Sequence, residues 1–406
     1  MSGSPSPRRD RLRALLRRHG LVRRPATLRR FLALHDLVFR DGNRLTVWAT
    51  GDVGLADMLA AIEDARQRIH LETYILRSDA TGLRFLDALR HQAERGVAVR
   101  LLYDAFGSLS LDAAALAPLQ RAGGQVVAFN PLRRFYPDWL PRRRDHRKIL
   151  VVDGRVAFTG GLNIGDEYAI GLDGGRTVWR DTHLRVEGPA VRDLEAVFLE
   201  SWFRADGGEL PWEQLLDAPP PAAGEDRVAV VADGPSHRRR VLQELVALGL
   251  ATARRQVRLT SPYFAPDHGV LTAIHQAAER GIGVDLLLAG RTDHPILRRA
   301  ARSYAPRLLD AGVAVYEDHQ AMLHAKSTVV DERWAIAGTS NLDRQSFQHS
   351  YEVNLVIQGG EVPRRLAALF DHDLRRATRV DAEFLERRSW SERALDRAAT
   401  AALWVV

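Results

Sequence analysis

The chain has no cysteine in its 406 residues, which excludes disulfides, thiolate zinc sites and cysteine nucleophiles together. It fits a reducing compartment and is compatible with any other. No apolar run approaches the roughly 20 residues that a bilayer-spanning helix needs. Near the amino terminus arginines interrupt every short leucine run, so the apolar core of a signal peptide is missing as well. The expectation is a chain neither secreted nor inserted in a membrane. Apolar residues make up 46% and charged residues 27%, the proportions of an ordinary globular protein. This length is too great for one core and suits two domains of similar size.

Acidic residues are scarce in one segment. Between residues 8 and 40 eleven arginines face only Asp10 and Asp36, a surplus of nine positive charges. The whole chain carries +7, so the remainder is near neutral. Leu12, Leu15, Leu16 and His19 share one helical face, and Leu28, Phe31, Leu32 and His35 repeat the pattern. An arginine-rich amphipathic stretch suits an anionic membrane surface. Nucleic acid would attract the same charges, and a solvated tail is the plain alternative.

The rest of the chain reads as one unit written twice. Helix is expected over 56–66, strand over 68–74, helix over 83–95, strand over 97–103 ending in Asp104, helix over 111–122 and strand over 125–129. The second half replays this order, with helix over 241–253, strand over 256–260, helix over 269–280 and strand over 284–288. Short phrases recur: Ala93-Glu94-Arg95-Gly96 against Ala278-Glu279-Arg280-Gly281, and Ala122-Gly123 against Ala311-Gly312. The alternation argues for an α/β fold, and the long period for a domain duplication. Pro219-Pro220-Pro221 suits neither a helix nor a central strand. The expected division is therefore a basic segment 1–44, a first domain 45–216, a linker 217–224 and a second domain 225–406.

Each half holds the same five-point pattern, H-x-K-x4-D-x6-G-x2-N. It falls on His146, Lys148, Asp153, Gly160 and Asn163, then on His324, Lys326, Asp331, Gly338 and Asn341. Histidine and lysine precede an apolar run, so they are expected side by side at the start of a strand. Asp153-Gly154 and Asp331-Glu332 read as hairpin turns, which return the glycine and asparagine toward the histidine. Two such hairpins meeting about a pseudo-twofold axis form an anion site with two acid-base groups. Lysine and asparagine donors can stabilise a phosphoryl group. One histidine can attack phosphorus while the other protonates the leaving alkoxide. Asp153 and Asp331 belong to this catalytic motif, and their place in the turn suits them to fix the hairpin. No metal is required, and no cluster has metal-ligand character.

These residues resemble the phospholipase D superfamily, and within it the bacterial cardiolipin synthases, specifically a span-free branch. The resemblance rests on IHLETYI at 69–75, VAVRLLYDAFG at 97–107, DHRKILVVDGRVAFTGGLNIGDEY at 145–168, WRDTHLRVEG at 179–188, SPYFAP at 261–266 and residues 323–347. It implies two similar phospholipase D-like domains, each a mixed β-sheet flanked by helices. It also implies a phosphatidyl transfer with His146 as nucleophile and His324 as general acid and then base, without a cofactor. Asn163, Asn341, Gly160 and Gly338 would surround the substrate phosphate. Asp181 and Glu352 fall at the positions of histidine-orienting carboxylates, and Glu72 and Tyr263 at possible headgroup contacts. The motif carries Gly161 where the wider superfamily often has serine. The segment NLDRQSF at 341–347 places arginine differently from the usual pattern and bears on acceptor choice.

The implied reaction joins two phosphatidylglycerols to cardiolipin and glycerol, by a peripheral protein on the cytoplasmic face of a bacterial membrane. Its partners would be phosphatidylglycerol, other anionic phospholipids and the membrane surface. Hydrolysis, transfer to another alcohol and a nuclease of the same superfamily are the alternatives. A nuclease groove should carry its own basic excess, whereas both halves here are near neutral, so no nucleic acid is expected. The stretch at 132–144 interleaves Phe135, Tyr136 and Trp139 with arginines. Such a stretch suits lipid headgroups, stacking on bases or anchoring on the core.

Overall fold

The computed structural model describes residues 37–131, 143–169, 179–208, 218–235 and 240–405. The arginine-rich segment before residue 37 and most of the aromatic stretch at 132–144 lie outside the described residues.

The first half forms strands β1 (Arg40–Thr50), β2 (Arg68–Thr73), β3 (Ala98–Asp104), β4 (Gln125–Phe129), β5 (Arg144–Asp145), β6 (Ile149–Val152), β7 (Val156–Gly160) and β8 (Trp179–Glu187). The second contributes β9 (Asp226–Asp233), β10 (Gln256–Ser261), β11 (Phe264–Ala265), β12 (Gly283–Ala289), β13 (Ala314–Asp318), β14 (Met322–Leu323), β15 (Ser327–Val330), β16 (Trp334–Gly338), β17 (Leu342–Asp343), β18 (Ser350–Gln358) and β19 (Thr378–Val380). One sheet runs β1-β8-β7-β6-β2-β3-β4. The other runs β9-β18-β16-β15-β10-β12-β13-β19. In each, the β2-β3-β4 and β10-β12-β13 portions are parallel and the remainder antiparallel. The duplication read from sequence is thus a duplicated sheet.

Two kinds of pairing join the halves. β1 pairs antiparallel with β9, and two short strands cross over: β5 lies parallel on β18, and β14 parallel on β8. Between the sheets lies a shared apolar layer of Ile149, Val151, Leu184 and Val186 against Val353, Leu355 and Ile357. The helices Ala190–Arg204 and Val362–Leu374 complete it with Phe198, Trp202 and Leu366. Burying each large side chain stabilises the assembly by about 2 kcal/mol, so the halves are held by a core and not by surface contacts.

The recurring phrases are helix endings. Gly96 and Gly281 adopt φ of 87° and 77°. Val97 N–H donates to the Gln92 carbonyl and Ile282 N–H to the Ala277 carbonyl, closing the left-handed cap that glycine permits. Gly123 and Gly312 follow suit at φ of 94° and 84°.

The helix expected over 56–66 instead spans Gly51–Glu63. Gly51 and Gly54 argue against a helix by propensity, but a Cβ at Gly51 would lie 1.7 Å from the Tyr168 carbonyl oxygen. Close packing overrides propensity there. β1 begins at Arg40, inside the segment assigned to the basic tail. Arg40 is paired with Asp193 at 2.8 Å and belongs to the fold. Among the described residues no helix is long and apolar enough to cross a membrane.

Candidate active site

The two crossing strands carry the histidines into one site. β5 ends at Asp145, and the next residue, His146, donates its backbone N–H to the Tyr351 carbonyl at 2.9 Å. After β14, His324 donates to the Arg180 carbonyl at 2.7 Å. Each histidine is therefore anchored on a strand of the opposite half. The same strands supply the carboxylates: Glu352 on β18 lies 3.0 and 3.1 Å from His146 Nδ1, and Asp181 on β8 lies 2.7 Å from His324 Nδ1. An Nδ1–H donated to a carboxylate leaves the Nε2 lone pair free to react.

Lys148 and Lys326 follow two residues on, with each Nζ donating to the carbonyl of its own histidine. The expected strand start is displaced: regular pairing begins at Ile149 and Ser327. His146 to Lys148 bridge two pairings, with β18 before them and β2 after. The Lys148 ammonium also lies 5.2 Å from the centre of the Tyr74 ring, and Tyr74 meets the His146 ring edge-on at 4.9 Å. Around His324 stand Trp179 at 5.4 Å, Tyr168 at 5.8 Å and Tyr263 at 6.5 Å.

Burial sets the protonation states. It pushes His146 down to about 4, with Lys148 adding to the effect and Glu352 opposing it. His324 is lowered by burial and Lys326, against the pull of Asp181. Burial also lowers Lys148 to about 7 and Lys326 to about 8, although carboxylates oppose it. Burial favours neutral Asp181 and Glu352, but the facing histidines and lysines outweigh it and hold both below the usual range. The resting site thus pairs neutral imidazoles with ionised carboxylates.

The glycines of the motif act on neighbouring strands. A Cβ on Gly160 would sit 2.4 Å from the Thr182 carbonyl oxygen, and one on Gly338 2.3 Å from that of Val353. Both let the carboxylate-bearing strand approach. Gly161 has a similar reason: its Cβ would fall 1.9 Å from Asp181 Oδ1. Thr339 occupies the matching position and donates its hydroxyl to Glu352. Thr339 escaped sequence reasoning because it lies one residue off the shared pattern.

Asp153 accepts from the backbone N–H groups of Arg66, Gln67 and Arg68 at 2.7–2.9 Å. Asp331 accepts from those of Arg254, Arg255 and Gln256 at 2.8–3.0 Å. Both stand in left-handed turns at the far end of the β6 and β15 hairpins, where they tie the hairpin to the start of β2 or β10. Asn163 is engaged by protein, since its carbonyl accepts from Ile75 N–H at 3.1 Å and its amide donates to the Tyr168 hydroxyl at 2.8 Å. Asn341 is buried, and its backbone N–H donates to the Ser346 hydroxyl oxygen at 3.1 Å. Glu72 is fully buried, and burial with the adjacent Asp145 charge raises it well above the carboxylate range. Tyr263 donates its hydroxyl to Asp293 at 2.6 Å. Among the described residues no group of three or more histidines or carboxylates is arranged to hold a metal.

A duplicated mixed sheet that brings two carboxylate-paired histidines and two buried lysines together is the architecture of a phospholipase D-like protein. The family model described as cardiolipin synthase, phospholipase D-like domain, matches residues 58–179 and 248–374. A cardiolipin synthase of Geobacillus kaustophilus is 39% identical over 352 residues, covering 86% of this chain and 70% of the relative. One from Halalkalibacterium halodurans is 38% identical over 373 residues, covering 89% and 74%. The crystal structure of the phosphatidylserine synthase of Haemophilus influenzae superposes with a TM-score of 0.70 at 14% identity, covering 94% of this chain and 99% of that one, a likeness of fold. The chain belongs to the cardiolipin synthase family of phospholipase D-like proteins, and it is a phosphatidyltransferase of that type.

Proposed function

We propose that the protein joins two phosphatidylglycerols into cardiolipin and releases glycerol, through a phosphatidyl intermediate on His146. The reading rests on one observation, the crossed pairs His146–Glu352 and His324–Asp181 within one site. Neutral His146 attacks the donor phosphorus through Nε2 while Glu352 holds Nδ1–H and stabilises the positive charge that develops on the ring. Lys148 and Lys326 stabilise the phosphoryl oxygens. His324 gives its proton to the departing glycerol oxygen. It then takes the proton of the second phosphatidylglycerol's hydroxyl, whose oxygen attacks phosphorus as the P–N bond breaks. An arriving phosphodiester anion favours protonated His324, which complements its role as the first acid.

Asp153 and Asp331 serve as frame residues in this scheme, and Gly160 and Gly338 as spacers. The domains divide at 217–224, where Ala223 N–H is tied to the Gly42 carbonyl at 2.8 Å. The protein works as a peripheral enzyme at an anionic membrane, on its cytoplasmic face, and needs no nucleic acid or metal. The decisive experiment is lipid-product analysis with purified protein and phosphatidylglycerol vesicles, with and without phosphatidylethanolamine. Cardiolipin and glycerol in equal amounts are expected from phosphatidylglycerol alone. Phosphatidic acid as sole product would make it a hydrolase, and no product would refute the reading.

A further inference from the structure

A cavity of about 640 Å³ opens beside His324. Trp179 and Tyr168 line it and also touch the His324 ring, so it adjoins the reacting centre. Its walls come from both halves, with Arg77, Ser78, Ser110 and Asp166 from the first and Asp293 from the second. Four carboxylates, Asp79, Asp166, Glu167 and Asp293, line it with a single guanidinium, Arg77; Arg77 is paired with Glu167, and Asp79 and Asp166 accept from backbone N–H groups. A phosphodiester is repelled by such a surplus and is drawn instead to Lys148 and Lys326. The cavity is therefore unsuited to the lipid phosphate and open to the group beyond it.

The wall holds both donors and acceptors. Arg77 bonds Glu167 and Ser110. Asp293 accepts from the Tyr263 hydroxyl and keeps lone pairs for a further donor, with a side chain 43% exposed. Burial works against its charge, but Tyr263, His294 and His324 hold it ionised. Trp179 is buried, and its indole N–H has no acceptor among the described residues. A hydroxyl both donates and accepts, whereas an ammonium only donates. This mixture matches adjacent hydroxyls.

We infer that this cavity is the acceptor subsite, in which Asp293, positioned by Tyr263, binds an uncharged polyol headgroup and presents one hydroxyl to His324. The inference rests on the phosphatidyl-histidine reading and adds the residues that hold the acceptor. In the second half-reaction the P–N bond to His146 breaks, the acceptor oxygen bonds to phosphorus, and its proton passes to His324. Asp293 retains its charge throughout and binds a hydroxyl that does not react.

The test charges the enzyme from a phosphatidyl ester of p-nitrophenol and divides the intermediate between added glycerol, ethanolamine and water. Nitrophenol release reports the first half-reaction, and labelled glycerol in phosphatidylglycerol reports transfer. The ratio of transfer to hydrolysis is taken per intermediate formed, so partial misfolding cannot imitate the effect. Wild type should prefer glycerol to ethanolamine. Asp293→Asn should lower the glycerol-to-water ratio tenfold or more, and Tyr263→Phe should lower it in the same direction. Unchanged ratios in both variants, or a wild-type preference for ethanolamine, overturn the subsite. Failure of wild type to release nitrophenol or form any phosphatidyl adduct overturns the underlying mechanism instead.

Discussion

His146 takes its orienting carboxylate from Glu352, 206 residues away and on the strand β18 that belongs to the other half. His324 takes Asp181 in the same way. Neither histidine is completed by its own repeat.

Glu352→Gln and Asp181→Asn are expected to preserve the fold and lower kcat by about 10²–10⁴, the range set by losing tautomer control of an active imidazole. The two should separate with a good leaving group, which needs little acid assistance. Glu352→Gln should still be slow to form the intermediate, and Asp181→Asn should form it readily. Rapid-quench measurement of the adduct decides, and the reverse order would exchange the roles of the histidines.

Lys148 sits near its midpoint at neutral pH, at about 7, and Lys326 at about 8. If both must be charged to stabilise the phosphoryl group, kcat/KM falls as pH rises through 7–8 in the free enzyme. The limb in kcat should lie higher, because the bound anion favours the ammonium. Lys148→Met should cost about 10²-fold or more in kcat/KM without lowering Tm, since burying an ammonium is itself unfavourable. A marked drop in Tm would show that the ammonium is structural.

Asp153→Ala and Asp331→Ala should act on stability. Each leaves three backbone N–H groups without their acceptor, a loss of about 1–3 kcal/mol. Denaturant midpoints should fall, while kcat of the folded fraction at low temperature stays within a few-fold of wild type. A thousandfold loss of kcat in a stable variant would place these aspartates in the chemistry.

Acid should destabilise the protein before its carboxylates titrate in bulk. Burial lowers His70 to about 3 and His146 and His183 to about 4. Between pH 6.5 and 4 the unfolded chain binds protons that these folded histidines refuse, so stability is full above 6.5 and declines as pH falls. Each contributes on the order of 3 kcal/mol over the window. His183→Asn, which copies Asn354 at the matching position of β18, should flatten the slope of Tm against pH. An unchanged slope would mean that His183 takes up its proton in the fold as readily as in the unfolded chain.

Deleting residues 1–36 removes ten arginines and spares Arg40, which is bound to Asp193. Flotation with anionic liposomes should show the truncated form mostly unbound, and high salt should mimic the deletion in the full chain. Turnover on short-chain phosphatidylglycerol should persist. Equal flotation of both forms would shift membrane binding to another surface.

The repeated motif made the duplication, the hairpins and the histidine-lysine pairs legible, because identical spacing implies identical local geometry. Most helices and strands of the two repeats fall where apolar periodicity puts them. Of the first helix it is the start, at Gly51, that escapes the periodicity, because its glycines serve a tertiary contact. The crossing of β5 onto β18 and of β14 onto β8 was also illegible, since two-residue strands have no periodicity of their own. That crossing decides which carboxylate serves which histidine. Asn163 is a candidate phosphate donor by residue type, and nothing in the sequence shows that one of its two amide N–H groups donates to Tyr168. Asp293 gave no signal because it lies outside the repeated pattern.

The crossed strands also constrain how the two halves can diverge. Asp181 fits only where Gly161 leaves room for it, and Glu352 has Thr339 as its companion. A change of one orienting carboxylate must be matched by its neighbour within the same half and tolerated by the histidine it serves in the other. Either half expressed alone would hold a histidine without its carboxylate and a carboxylate without its histidine. Descent from a twofold-symmetric dimer of a single half would supply both, and fusion would then free each copy to specialise.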